Sequence, residues 1–166
     1  MAVRELRYFG DPVLKSVCDP VTKFDKNLEA LVKDLMDSVK LPGRAGLAAN
    51  QIGVGLRAFS YDVQGLTGYV INPEVVEVSE ETHEINEGCL SVPELWFPVV
   101  RPKRVVVRGV DVHNKPIEVE GFDVLAQCLQ HETDHLDGKL YLDRLTPDRK
   151  KKALSQARDK DWFWKR

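Results

Sequence analysis

Residues 123–136 read DVLAQCLQHETDHL and are typical of a helix, with an acidic residue at the start and Gly138 shortly after the end. His131 and His135 are four residues apart, so on a helix they share one face and their imidazoles can bind the same metal ion. Glu132 stands beside them as a candidate for moving protons. The segment therefore predicts a helix that carries a catalytic metal site. The alternative interpretation is a pair of solvated or hydrogen-bonded helix histidines.

Apolar spacing predicts the elements on either side of this helix. An amphipathic helix begins after Asp25, a candidate N-cap, and ends at Pro42. Thr146-Pro147 has the chemistry of a helix start and predicts a third helix. The polar residues 113–115 predict a hairpin turn. The predicted strands are residues 58–61, 68–71, 74–78, 105–112 and 117–120.

This order of elements predicts an α+β domain. We expect mostly antiparallel β-sheets around the central helix with the His-Glu-x-x-His (HExxH) motif, with an N-terminal helix and a C-terminal helix. A chain of 166 residues fits one domain. Within that domain we expect residues 1–146 to form the catalytic part and residues 147–166 to form a basic C-terminal helix or tail.

Composition excludes several classes of function. Lys and Arg number 24 against 26 Asp and Glu, which gives a formal net charge of -2, so neither DNA nor RNA is expected as the main partner. No segment has the apolar length of a membrane span or the pattern of a secretory signal. Three cysteines cannot all pair. These features predict a cytoplasmic protein with reduced thiols, in which a cysteine serves as a metal ligand or as packing.

A catalytic zinc-type site takes three protein ligands and leaves a position for water, so the two histidines need a third ligand. Cys89 lies in EGCLS, residues 87–91, which predicts a sharp turn out of the sheet region that could reach the helix. Cys128 lies three residues before His131 on nearly the same helix face, and its other interpretation is a small apolar residue of the core. Cys18 has no motif around it and is expected to be packing. Spacing alone leaves Cys89 and Cys128 both open.

Residues 46–51, GLAANQ, form a third cluster. Four small or apolar residues in a row let the backbone pass close to a bulky group, and Gln51 supplies an amide donor at the edge of that crowded place. The alternative interpretation is a tightly packed buried strand with Gln51 capping a loop.

The three clusters together resemble the peptide deformylase family. GLAANQ (46–51), EGCLS (87–91) and QHETDHL (130–136) match its motifs in the same order, and the resemblance extends from residues 10–14 to Gly138. The resemblance implies three metal ligands: Cys89, His131 and His135.

The resemblance also implies an activity, which is removal of the formyl group from the N-formylmethionine that begins a nascent bacterial polypeptide. A metal ion would yield a hydroxide nucleophile, with Glu132 as general base and then general acid. The Gln51 side chain and the Leu90 backbone N–H would stabilise charge on the formyl oxygen. A thiolate and two imidazoles accept iron(II), zinc, nickel or cobalt. The family implies one Fe2+ per chain, with Zn2+, Ni2+ or Co2+ as replacements.

One departure from the family concerns the substrate groove. The first glycine of the opening motif is Arg44 here, and the hydrophobic position after it is Ala45. In the family this strand lines the groove and pairs with the bound peptide. The resemblance therefore implies substrate contacts at Arg44, Ala45 and Gly46, with an effect of Arg44 on substrate range. Helix position predicts that Val124 and Cys128 line the methionine pocket, with core packing as the alternative.

The C-terminal residues 147–166 carry eight basic and three acidic side chains. One interpretation is a solvated helix face, and the other is docking to ribosomal RNA. The aromatic residues 162–164 are expected to pack the tail onto the domain. Two other functions compete with a deformylase: a HExxH metallopeptidase, which the thiolate motif disfavours, and a catalytically weak metal-binding or ribosome-associated module.

Overall fold

The structure, a computed structural model, describes residues 3–164. Its helices are α1 (Pro12–Lys15), α2 (Lys26–Val39), α3 (Asp123–Leu136) and α4 (Pro147–Arg158). Its strands are β1 (Gly46–Ala48), β2 (Ala58–Val63), β3 (Leu66–Val78), β4 (Thr82–Cys89), β5 (Val92–Pro102), β6 (Arg104–Val110) and β7 (Pro116–Phe122). Short 3-10 turns cover Ala49–Ile52, Tyr141–Arg144 and Asp161–Trp164.

The strands form two antiparallel sheets. One sheet has five strands in the order β1-β2-β3-β6-β7, and β4 and β5 pair with each other in a second sheet. The predicted hairpin turn is confirmed, since Val110 pairs with Pro116 across it. The predicted α+β class with mostly antiparallel sheets is confirmed as well.

Helices α2 and α3 pack on opposite faces of the larger sheet. Successive side chains of a strand point to opposite faces. Accordingly, Phe59 and Tyr61 of β2 pack in the cluster with α3, whereas Ala58 packs in the cluster with α2. The hydroxyl of Ser60 donates to the carbonyl of Leu35 in α2 at 2.9 Å, which satisfies this buried polar group. Helix α3 is therefore fixed against a sheet that is buried on both sides.

The predicted starts of α2 and α4 and the glycine stop after α3 are confirmed, whereas α2 ends at Val39, before Pro42. The carboxylate of Asp25 accepts from the backbone N–H of Leu28 at 3.1 Å and caps α2. The hydroxyl of Thr146 accepts from the N–H of Arg149 at 3.4 Å and caps α4. Gly138 follows α3 with φ at 75°, a left-handed conformation that glycine adopts without strain.

The strand prediction was wrong for residues 82–102, which form β4 and β5. Cys89 is the last residue of β4 and pairs with Val92, so the turn lies at Leu90 and Ser91 and does not begin at residue 87. Three prolines within β5 hid the strand pattern. In a two-stranded sheet both strands are edges, where proline removes no inner ladder bond.

Helix α4 is packed onto the rest of the domain. Ala153 and Ala157 of α4 are fully buried in a cluster with β5 and the turn Tyr141–Arg144. Lys165 and Arg166, two of the basic residues assigned to the tail, lie outside the described residues. Among residues 3–164, none of the helices has the length and apolar character needed to cross a bilayer.

Candidate metal centre

Two segments that are distant in sequence bring three ligand atoms together. His131 and His135 stand one turn apart on α3, and their Nε2 atoms are 3.2 Å from each other. The sulfur of Cys89, at the end of β4, lies 3.4 Å from Nε2 of His135. These three ligand atoms all lie within 4.8 Å of one another, and all three residues are buried. The helix therefore presents both imidazoles to one point, as the four-residue spacing predicts.

Neither of the other two cysteines joins this group. Cys128 is buried on α3, and its thiol donates to the carbonyl of Ala45 at 3.4 Å. Burial raises the pKa of the Cys128 thiol well above its usual value, so the thiol stays protonated. Cys18 is buried in the core cluster with α3, in agreement with the packing interpretation.

The residues of this group fit a divalent transition metal. A thiolate and two neutral imidazoles are soft and intermediate ligands that such ions accept. The surroundings of Glu132 also fit a metal site. Its Oε2 lies 3.9 Å from Nε2 of His131, and its buried Oε1 has no hydrogen-bond partner among residues 3–164. Burial raises the pKa of Glu132 to about 7. The carboxylate is therefore poised to exchange a proton with a water beside the three ligands.

A buried carboxylate orients His131. Oε2 of Glu87 lies 2.5 Å from Nδ1 of His131, so the ring donates there and turns Nε2 toward Cys89. Arg101 donates to both oxygens of Glu87, at 2.7 and 2.6 Å. Burial opposes ionisation of Glu87, but the hydrogen bonds from His131 and Arg101 lower its pKa to about 2. Glu87 is therefore a permanent carboxylate that fixes the ring.

The same arginine continues the network to α3 and the segment after it. Arg101 is fully buried, and its Nη1 donates to Asp134 at 3.3 Å. Asp134 also accepts two hydrogen bonds from Arg144, at 2.5 and 2.8 Å. These bonds tie β5, α3 and the turn Tyr141–Arg144 together behind the candidate metal ligands.

Gln51 brings an amide donor beside the sulfur of Cys89. Its Oε1 accepts from the N–H of Ala48 at 2.9 Å, which holds the side chain at the turn after β1. Its Nε2 donates to the hydroxyl of Ser91 at 3.1 Å and lies 3.8 Å from the sulfur of Cys89. Both interpretations of GLAANQ hold in part: Gly46–Ala48 is a buried strand, a buried 3-10 turn follows it, and Gln51 in that turn reaches the sulfur of Cys89.

A cleft of about 420 Å³ opens over the ligand group. Its lining includes Ala45, Gly46, Leu90, Trp96, Val124 and Cys128. A Cβ added at Gly46 would lie 2.5 Å from Oε2 of Glu132 and 2.8 Å from the sulfur of Cys128, so a larger residue there would displace these side chains. Arg44 does not line the cleft, since its guanidinium donates to the carbonyl of Ser38 at 2.9 Å.

Four further residues of the site were missed by the sequence analysis. Glu87 and Arg101 orient the ligand His131, and Gln127 and Trp96 line the cleft. Trp96 is 67% exposed although it lies beside Gly88, where an added Cβ would meet its ring at 2.7 Å. The position of Glu87 within EGCLS was the available signal for this acid. Trp96 and Arg101 lie on β5, which was not predicted, whereas Gln127 lies on the predicted helix α3, next to Cys128.

The aromatic tail packs mainly as expected. The indole N–H of Trp162 donates to the carbonyl of Pro93 at 3.1 Å, and the rings of Phe163 and Phe9 have centroids 6.2 Å apart. Trp164 differs, since it is 71% exposed. Trp162 therefore holds this segment beside β5 at Pro93, which lines the cleft.

Comparison with known sequences identifies one protein family. The family model for polypeptide deformylase matches residues 3–151. The peptide deformylase of Acidothermus cellulolyticus is 50% identical over 162 residues, which cover 98% of this chain and 89% of that protein. The peptide deformylase 1 of Corynebacterium efficiens is 44% identical over 167 residues, which cover 98% of this chain and 99% of that protein.

Solved structures with a similar fold belong to the same family. A peptide deformylase from Legionella pneumophila superposes with a TM-score of 0.88 at 39% identity, over 95% of each chain. A peptide deformylase from Ehrlichia chaffeensis in complex with actinonin superposes with a TM-score of 0.88 at 32% identity, over 97% of this chain and 99% of that one. The resemblance seen in the motifs is confirmed, and the chain belongs to the polypeptide deformylase family.

Proposed function

We propose that this protein is a metal-dependent hydrolase that removes the formyl group from the N-formylmethionine of newly synthesised proteins. The observation that carries the proposal is the meeting of one cysteine sulfur with two imidazole nitrogens within 4.8 Å, beside a buried carboxylate and under a cleft. Family membership adds independent support.

Cys89, His131 and His135 hold the metal ion in this proposal. The ion, when bound, supplies Lewis acidity that lowers the pKa of a water and polarises the formyl oxygen. The thiolate and two imidazoles suit iron(II), which we assign as the native ion, one per chain, with zinc, nickel or cobalt as replacements.

Glu132 moves the protons. It takes a proton from the attacking water and delivers it to the amine nitrogen as the bond between that nitrogen and the formyl carbon breaks. Its raised pKa, about 7, suits both steps at neutral pH. Gly46 packs so close to this carboxylate that a Cβ added there would lie 2.5 Å from its Oε2.

Gln51 and the backbone N–H of Leu90 stabilise the negative charge that develops on the formyl oxygen. Hydrogen bonds to Ala48 and Ser91 fix the Gln51 amide before substrate arrives, so little reorganisation accompanies the reaction. Leu90 lines the cleft directly after the ligand Cys89.

The substrate peptide lies in the cleft. Ala45 and Gly46 offer backbone for pairing with the peptide, and Val124 and Cys128 form part of the pocket for the first side chain. Arg44 takes part only through its backbone, because its guanidinium binds the end of α2 instead of entering the cleft. The position of the Arg44 side chain therefore gives no support to the alternative of a catalytically weak protein.

Because the proposed substrate is a newly synthesised bacterial protein, we place the enzyme in the bacterial cytoplasm. A contact of α4 with ribosomal RNA would bring the enzyme to emerging chains. Lys151, Lys152 and Arg158 are exposed on α4 and support this contact, whereas Arg149 and Lys150 form ion pairs within the domain. Co-sedimentation with ribosomes at low salt should fall when Lys151 and Lys152 are both replaced by glutamate. Unchanged sedimentation would refute the contact.

The deciding experiment is a deformylation assay on protein purified without oxygen, with the metal content measured on the same sample. We expect turnover of formyl-Met-Ala-Ser by the iron form and no cleavage of casein. Cleavage of casein without deformylation would indicate the HExxH metallopeptidase. No turnover by the iron, nickel and cobalt forms would refute the proposal and favour a binding module.

A further inference from the structure

The cleft is lined by an amide side chain that the proposed reaction does not use. Gln127 lies on α3, and Val124, Cys128 and His131 of the same helix face also line the cleft. The Nε2 atom of Gln127 is buried and has no hydrogen-bond acceptor among residues 3–164. A buried donor without an acceptor is costly, so native proteins rarely keep one without a partner of another kind.

The other buried polar side chains of the cleft are already engaged or have a role in the chemistry. Gln51 binds Ala48 and Ser91, and Glu87 binds His131 and Arg101. Glu132 serves the reaction itself. The Gln127 amide is thus available to a bound molecule.

Its position fits the side chain of the first substrate residue. Gln127 precedes His131 by four residues, which places it about 6 Å farther along the helix axis from the ligand group. The Val124 and Cys128 side chains, which flank it on the same face, are the proposed walls of the pocket for that side chain. A long side chain that runs along α3 away from the ligands therefore ends near this amide.

We propose that Gln127 is a specificity-determining residue that donates a hydrogen bond to an oxygen near the end of the substrate's first side chain. The chemical class is an N-formyl peptide whose first residue carries such an acceptor, and methionine sulfoxide is the member closest in shape to methionine. The inference rests on the proposed deformylase activity. A hydrogen bond from Gln127 would raise kcat/KM for a side chain with an acceptor, and this gain would be lost when the donor is removed.

The test compares kcat/KM for formyl-Met-Ala-Ser and for the same peptide with methionine sulfoxide. Gln127→Met keeps length and helix propensity but removes the donor. We expect this variant to lose about tenfold more kcat/KM on the sulfoxide peptide than on the methionine peptide. Gln156→Met, at an exposed position of α4, is the matched control and should leave the ratio unchanged.

Metal content and melting temperature, measured for both variants, show that the site is intact, and Gln127→Leu replaces Gln127→Met if that variant does not fold. An unchanged ratio, or an equal loss on both peptides, overturns the inference and leaves the deformylase proposal standing. No turnover of either peptide by the unmodified enzyme overturns both.

Discussion

Replacement of Gly46 by alanine should disable Glu132 while the metal stays bound. An added Cβ would lie 2.5 Å from Oε2 of Glu132, and ordinary contacts begin at 3.4 Å, so the carboxylate must shift by about 0.9 Å. A misplacement of about 1 Å can cost roughly 100-fold in rate, which corresponds to about 2.7 kcal/mol of transition-state stabilisation. We therefore expect kcat to fall about 100-fold. The metal ligands are not among the three atoms nearest to that Cβ, so metal content should not change.

The assay is deformylation of formyl-Met-Ala-Ser by enzyme loaded with metal anaerobically, with metal content measured on each sample. Gly55→Ala is the matched control, because a Cβ there meets nothing within 4 Å and its φ lies outside the left-handed region. Melting temperatures of both variants show whether the fold is retained. Gly46→Ala with the kcat of the unmodified enzyme would refute the reasoning, and so would a loss of metal that accounts for the loss of rate.

Three further outcomes follow from the site. Cys89→Ser should remove both metal and activity, whereas Cys128→Ser should retain metal; elemental analysis showing the reverse would make the ligand assignment wrong. Glu132→Gln should keep the metal and lower kcat by a factor of about 100 to 10,000, because it spares the ligands and removes the base; metal loss in this variant would identify Glu132 as a ligand. Arg101→Met should lower the free energy of unfolding by about 3 to 5 kcal/mol, since it leaves the buried Glu87 carboxylate without its arginine. Urea denaturation measures this loss, and a value below about 1 kcal/mol, typical of exposed pairs, would contradict the network.

The helical half of the site could be predicted because its geometry is local. The spacing of His131 and His135 within α3 determines a shared face, and the residues around them determine where the helix begins and ends. The third proposed ligand could not be predicted from spacing. Cys89 reaches the imidazoles through the path of the β4–β5 hairpin, which spacing does not encode, so the choice between Cys89 and Cys128 needed the family motif.

The network behind the ligands could not be predicted for a physical reason. Alternation along β5 places Leu95, Phe97 and Val99 on the inward face, and Arg101 continues that face. An arginine at such a position is taken as solvent-exposed unless its carboxylate partners are known. Those partners, Glu87 and Asp134, come from β4 and α3, so the pair is visible only after the fold brings them together.

The second sheet consists of β4 and β5 alone, and one of the three proposed metal ligands stands on it while the other two stand on α3. An ion bound by all three would fasten the hairpin to the helix, and its binding energy would add to the stability of that junction. Removal of the ion would let residues 82–102 open more often than the five-stranded sheet does. Amide hydrogen exchange would then accelerate in the hairpin first, with β2 and β3 still protected.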